Sequence, residues 1–185
     1  SPVVASSGTG RPEVAARTVV VIFADHGEYL GERGRLGHDY SLYPEVVRVP
    51  LIVRAPGVPV GVEAAPVTLL DVLPTVLELA GVSGVEPRGG RSLLSPDPDR
   101  VILLEMRGSG PYPERVALLH GGALLHCAEP ERACEVCEAW AQPPTCRVDP
   151  ARQAPLRARL DAALEAYRND ARQAARRAAF QAWTA

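Results

Sequence analysis

The run Thr18–Phe23, TVVVIF, is apolar and β-branched and stops abruptly at Ala24-Asp25-His26-Gly27-Glu28. A continuous apolar run of this length fits a strand buried on both faces, as in a parallel sheet, and open α/β sheets present their chemistry at the carboxyl ends of such strands. The sequence therefore predicts Asp25 at the end of a central parallel strand, with an imidazole beside its carboxylate. Successive side chains of an extended strand point to opposite faces, so Asp25 and His26 reach one ion only if the backbone turns, which Gly27 permits. The expected geometry is a strand that ends in a metal site.

Four more blocks follow in order. Gly31–His38, GERGRLGH, carries three glycines and can approach a ligand closely or turn sharply. Leu42–Arg54, LYPEVVRVPLIVR, contains a second strand signal in Val49–Val53. Thr68–Gly81, TLLDVLPTVLELAG, reads as a helix, and Gly90–Leu94 is GRSLL. With the strand and the DHGE motif, this ordered set resembles the second conserved block of the sulfatases, in the alkaline phosphatase superfamily. The resemblance covers residues 17–106 and places the chain in the carboxyl-terminal portion of the family pattern, starting just before the DHG metal motif.

The resemblance implies an α/β fold, a partial alkaline-phosphatase-like three-layer α/β/α sheet, with a small antiparallel hairpin subdomain and a long carboxyl-terminal helix. It gives Asp25 and His26 the role of metal ligands. Their mixed oxygen and nitrogen donors suit Ca²⁺, and also Mn²⁺, Mg²⁺ or Zn²⁺. The plainer alternatives are a turn residue for Asp25 and a backbone-capping loop histidine for His26. His38 stands where the family has a Lys or His touching the oxyanion, where an imidazolium stabilises a departing oxygen or neutralises a sulfate oxygen. Its alternative is an exposed loop histidine. Arg33 and Arg35 read as solvated, and Arg48 as an ion-pair residue that orders the loop before the second strand.

Sulfatases attack with a formylglycine made from a Cys or Ser followed by x-Pro-x-Arg. The nearest segment is Ser109-Gly-Pro-Tyr-Pro113, which ends in Pro, follows the DHG block and reads as a turn. The chain is thus expected to be part of a metal-dependent sulfuric ester hydrolase, inactive alone and completed by an amino-terminal half that holds the formylglycine. The substrate class is a small-molecule sulfate or phosphate ester. Two further readings stay open: a phosphodiesterase or phosphonate monoester hydrolase of the same superfamily, because both oxyanions are tetrahedral, or a non-catalytic truncated module.

Of the 185 residues, 46% are hydrophobic and 23% charged, with a net charge of −2, a composition that gives no sign of nucleic-acid binding. Residues 1–16, small and polar, are expected to be a loop or disordered start with neither signal peptide nor membrane span. Residues 17–106 form the α/β portion, 107–149 the small antiparallel subdomain and 150–185 the terminal helix. In the helix at Thr68–Gly81, Asp71 is expected to cap, Pro74 to sit in the first turn and Gly81 to stop it, with Leu73, Val76, Leu77 and Ala80 covering the sheet.

Val116–His120 and Ala123–Cys127 are apolar runs joined by Gly121-Gly122, a hairpin signal. From Pro150, Leu156, Leu160, Ala163, Leu164, Tyr167, Ala171, Ala174 and Ala178 recur at helical spacing. Arg168, Arg172 and Arg176 form a stripe on that helix that reads as a solvated face. Cys127, Cys134, Cys137 and Cys146 cluster. Two disulfides in an oxidising compartment, periplasmic or extracellular, are favoured over one structural zinc, because only Cys134 and Cys137 form a CxxC pair.

Overall fold

The structure, a computed structural model, describes residues 11–38, 40–85, 89–108, 113–128 and 133–169. Ser109–Tyr112 and the residues beyond Asn169, on which the expected positions Ala171, Arg172, Ala174, Arg176 and Ala178 fall, lie outside the described residues. Two compact units interleave along the chain: residues up to Asp25 with Val49–Pro98, and His26–Arg48 with the chain from Asp99 onward. Among the described residues no helix is long and apolar enough to cross a membrane.

The first unit opens on a single helical turn, α1 (Pro12–Ala15), within the stretch expected to be a loop. The TVVVIF run forms β1 (Val20–Phe23), but its partner corrects the parallel expectation. β1 pairs antiparallel with Leu51–Arg54, Val20 opposite Arg54 and Phe23 opposite Leu51, in a two-stranded sheet. Nor is the run buried, since Ile22 is 51% and Phe23 49% exposed. Apolar continuity records what the strand could bury, not the direction of its neighbour.

The helix in this unit runs Val72–Leu79 after a 3₁₀ turn at Leu69–Asp71. Its buried face is also a correction. Leu73 and Val76 are exposed, whereas Asp71, Pro74 and Thr75 are buried. The reason is a loop that needs polar partners. Asp71 Oδ1 accepts from the Arg91 amide at 2.8 Å and Thr75 Oγ1 from the Leu93 amide at 2.9 Å, so the GRSLL segment lies on the polar face. Gly90 is required there because a Cβ would stand 2.0 Å from the Leu70 carbonyl oxygen. Asp71 caps as the third residue of a reciprocal box: its Oδ2 accepts from the Thr68 amide, and Thr68 Oγ1 accepts from the Leu70 amide. Gly81, at φ 68°, closes the helix in the left-handed region as expected.

In the second unit, β2 (Tyr29–Leu30) and β3 (Leu36–Gly37) form a short antiparallel hairpin, followed by the turn of helix α2 (Pro44–Val47). With β4 assigned to Leu51–Arg54, a five-stranded antiparallel sheet follows in simple sequence order. Its strands are β5 (Ile102–Met106), β6 (Arg115–His120), β7 (Ala123–Ala128), β8 (Ala133–Glu138) and β9 (Cys146–Arg147). The β6–β7 hairpin turns on Gly121 and Gly122, both at positive φ, as the sequence predicts.

Alternation sorts this sheet's side chains. One face carries Val116, Leu118, Leu125, Cys127, Cys134 and Val136, which pack under Leu156, Leu160 and Leu164 of the helix Pro150–Asn169. The opposite face carries Ala117, Leu124 and Cys137, packed against Leu42, Tyr43 and Val47. Burial on both sides explains why β6 and β7 are apolar almost throughout. The cysteines pair as Cys127–Cys134 and Cys137–Cys146, each joining residues directly opposite on adjacent strands, with α-carbons 4.1 and 3.9 Å apart. One bridge therefore lies on each face.

Candidate active site

The DHG segment is held by close backbone approach. The Gly27 amide donates to the Val46 carbonyl at 2.6 Å, and a Cβ on Gly27 would lie 2.2 Å from the Glu45 carbonyl oxygen. Gly27 is not among the residues at positive φ, so glycine is needed here for space and not for a left-handed turn. Asp25 follows β1 by two residues, beyond Ala24.

His26 and His38 come together, their ring centroids 4.2 Å apart and the planes tilted by 34°. The bonds of both rings fix their tautomers. His26 Nδ1 lies 2.9 Å from the Gly27 carbonyl oxygen and His38 Nδ1 lies 3.1 Å from Glu28 Oε1. Neither oxygen donates, so each Nδ1 carries a proton toward its acceptor. A backbone or carboxylate acceptor behind one ring nitrogen is the arrangement that orients ligating histidines. The side chains of His38 and Glu28 are 58% and 53% exposed, open to a small solute.

The β2–β3 hairpin places His38 immediately after Gly37. Tyr29, fully buried, anchors its first strand through a 2.6 Å hydroxyl–hydroxyl bond to Ser41. Its tip is held by Arg33, a residue expected to be solvated. Arg33 Nε donates to Glu45 Oε1 at 3.1 Å, a terminal nitrogen lies 2.9 Å from Cys146 Sγ, and the guanidinium sits 3.9 Å from the Tyr43 ring centroid. Arg33 has φ 55° and ψ 21°, a left-handed conformation that costs a non-glycine residue about 1–2 kcal/mol. Arg48 is a second correction. Among the described residues it makes no ion pair and reaches instead the Trp140 carbonyl at 3.5 Å, with its guanidinium 5.6 Å from that ring's centroid.

Beneath the Arg33 clasp, Tyr43 donates to Glu135 Oε2 at 2.8 Å and stacks on His126. Burial, then the Glu135 carboxylate, push the Tyr43 phenol up to about 12. Burial, then the positive charge of Arg115, Arg33 and Arg35, push His126 down to about 4. Its Nε2 is buried with no hydrogen-bond partner among the described residues, which fits a neutral ring. The contacts of Arg33, Tyr43, Glu45 and His126 escaped the sequence reading because they join distant segments.

Asp25 and His26 are of the right types for metal ligands, yet no group of three His, Cys, Asp or Glu converges on an ion position among the described residues. Among the described residues, Asp25 and His26 supply two donors, fewer than such an ion takes. The cysteines offer no alternative, because all four are oxidised.

Residues 11–82 match the family model described as Sulfatase. Over that segment, 72 of the 185 residues, the chain is similar to the sulfatase family. It is 34% identical over 124 residues to the choline-sulfatase of Rhizobium meliloti, a match covering 62% of this chain and 24% of that protein. It is 40% identical over 79 residues to arylsulfatase K of Danio rerio, covering 42% of this chain and 15% of that protein. The chain thus spans no more than 24% of the length of either relative. A solved 2-O GAG sulfatase is similar with a TM-score of 0.66 over 84% of this chain and 38% of that one, at 21% identity. At that identity the likeness shows the fold alone, a mixed α/β fold of the kind that solved sulfatases have, and in this chain the helix Pro150–Asn169 follows the sheet.

Proposed function

We propose that this chain is of the sulfatase family and supplies part of the active site of a metal-dependent sulfuric ester hydrolase. Asp25 and His26 act as two of an ion's ligands and His38 as the group that meets the ester oxygen. The observation that carries this reading is the His26–His38 ring contact, with both Nδ1–H groups already committed to acceptors. Glu28 orients the His38 ring through Nδ1, and in the imidazolium form Nε2–H donates to a sulfate oxygen or to the departing oxygen. No step is assigned to an ion, because two donors do not make a set.

The sequence contains no Cys or Ser followed by x-Pro-x-Arg, so the attacking group on this reading comes from residues outside this sequence. The names of the similar proteins favour a sulfate ester over a phosphodiester. The paired cysteines suit an oxidising compartment. The test is hydrolysis of an aryl sulfate and an aryl phosphodiester by the intact protein, with calcium and manganese titrations. His38→Ala is expected to lower kcat/KM for the sulfate by about 100-fold, and Asp25→Ala to remove the dependence on added metal. The 185 residues alone are expected to be inactive. Metal-dependent turnover by them that disappears in Asp25→Ala, or a preference for the phosphodiester, would overturn the corresponding part of the proposal.

A further inference from the structure

We infer that Arg33 is a positioning residue for His38, fastening the tip of the hairpin that carries it to the cysteine-bridged sheet. The hairpin has only two paired residues on each strand, too little ladder to hold its own geometry in water. Its tip must therefore be secured from outside. Arg33 does so at three points: the Glu45 carboxylate after the DHG segment, the Tyr43 ring, and the sulfur of Cys146 at the far end of the sheet. None of these holdfasts is itself loose. Tyr43 is bonded to Glu135 and stacked on His126, the Glu45 side chain is 8% exposed, and Cys146 is tied to Cys137.

The backbone carries an independent sign of the same role. Gly31, Arg33 and Gly34 all have positive φ, and Arg33 alone of the three bears a side chain. A glycine at this position would relieve the backbone, so the arginine persists there for what its guanidinium holds. The fork geometry also matters, since Nε and a terminal nitrogen point to different partners, which a lysine ammonium cannot reproduce. With the tip fixed and Gly37 leading directly into His38, the imidazole stands against His26 and Glu28 and does not swing with a free loop.

This inference rests on the reading of His38 as a site residue, but its test does not measure turnover, so the two can fail separately. Hydrogen exchange of the segment 29–38 and the nuclear Overhauser contact between the His26 and His38 rings are followed in the intact protein. Arg33→Gly, which suits the left-handed backbone, is expected to speed exchange roughly tenfold and to abolish the ring contact. Arg33→Ala should do the same, and Arg33→Lys should recover only part of the protection. Arg157→Ala removes the guanidinium 2.7 Å from Cys134 Sγ on the opposite bridge and should leave both readouts unchanged. The inference is overturned if Arg33→Gly keeps exchange within about twofold with the ring contact intact, or if Arg157→Ala perturbs the segment equally.

Discussion

Tyr43 stacks on His126 with ring centroids 4.1 Å apart and an interplanar angle of 26°, joining the segment before α2 to the middle of the carboxyl-terminal sheet. Arg115, Arg33 and Arg35 face the same imidazole, with Glu135 bonded to the Tyr43 hydroxyl. Because His126 is held at about 4 when folded against an ordinary 6.5, the unfolded chain binds the extra proton first as pH falls. Stability is complete above about pH 6.5 and is lost as pH falls toward 4, by up to about 3 kcal/mol. Denaturant titrations across this window should show the loss. In His126→Leu, which cannot charge, this share of the slope should vanish; an unchanged slope would remove His126 as its source.

Gly27→Ala should destabilise the second unit by roughly 2 kcal/mol or more, because the new methyl meets backbone and not a movable side chain. Thermal unfolding of the variant checks this. Gly31→Ala provides the contrast: nothing lies within 4 Å of its Cβ, so only the cost of φ 126° should appear.

Asp71→Ala removes two amide partners at once, in the Thr68 box and at Arg91, from a side chain that is wholly buried. A loss of about 2–4 kcal/mol is expected, with faster exchange at the Arg91 amide. A loss under about 1 kcal/mol would mean that water or neighbouring groups replace the carboxylate.

Each disulfide closes a short loop, with sequence separations of 7 and 9, so removing either by paired Cys→Ala substitutions should cost about 2–3 kcal/mol in chain entropy. Unfolding with and without reductant measures it. Loss of Cys127–Cys134 should loosen the face under the long helix, and loss of Cys137–Cys146 the face under Tyr43.

Much of this arrangement is legible in the sequence where the signal is local. The Gly121-Gly122 turn, the Leu156, Leu160 and Leu164 stripe and the Gly81 stop each follow from a few neighbouring residues. The direction of the β1 pairing is not local, because an apolar run specifies burial without naming a partner. The buried face of the helix Val72–Leu79 was hidden for a different reason: it is polar, and it is buried because the Arg91 and Leu93 amides require acceptors. Asp25, His26 and His38 were visible as a motif. What holds His38 was not, since Arg33 and Cys146 are 113 residues apart and charge alone gives a loop arginine no reason to bury.

The two bridges also make the end of the sheet a pair of closed covalent rings in series. Four cysteines admit three pairings; the strand register brings Cys127 opposite Cys134 and Cys137 opposite Cys146, so the nearest thiol in each hairpin is the native one. A protease that nicks the backbone between Cys127 and Cys134, or between Cys137 and Cys146, therefore leaves a protein that still migrates as one piece until it is reduced.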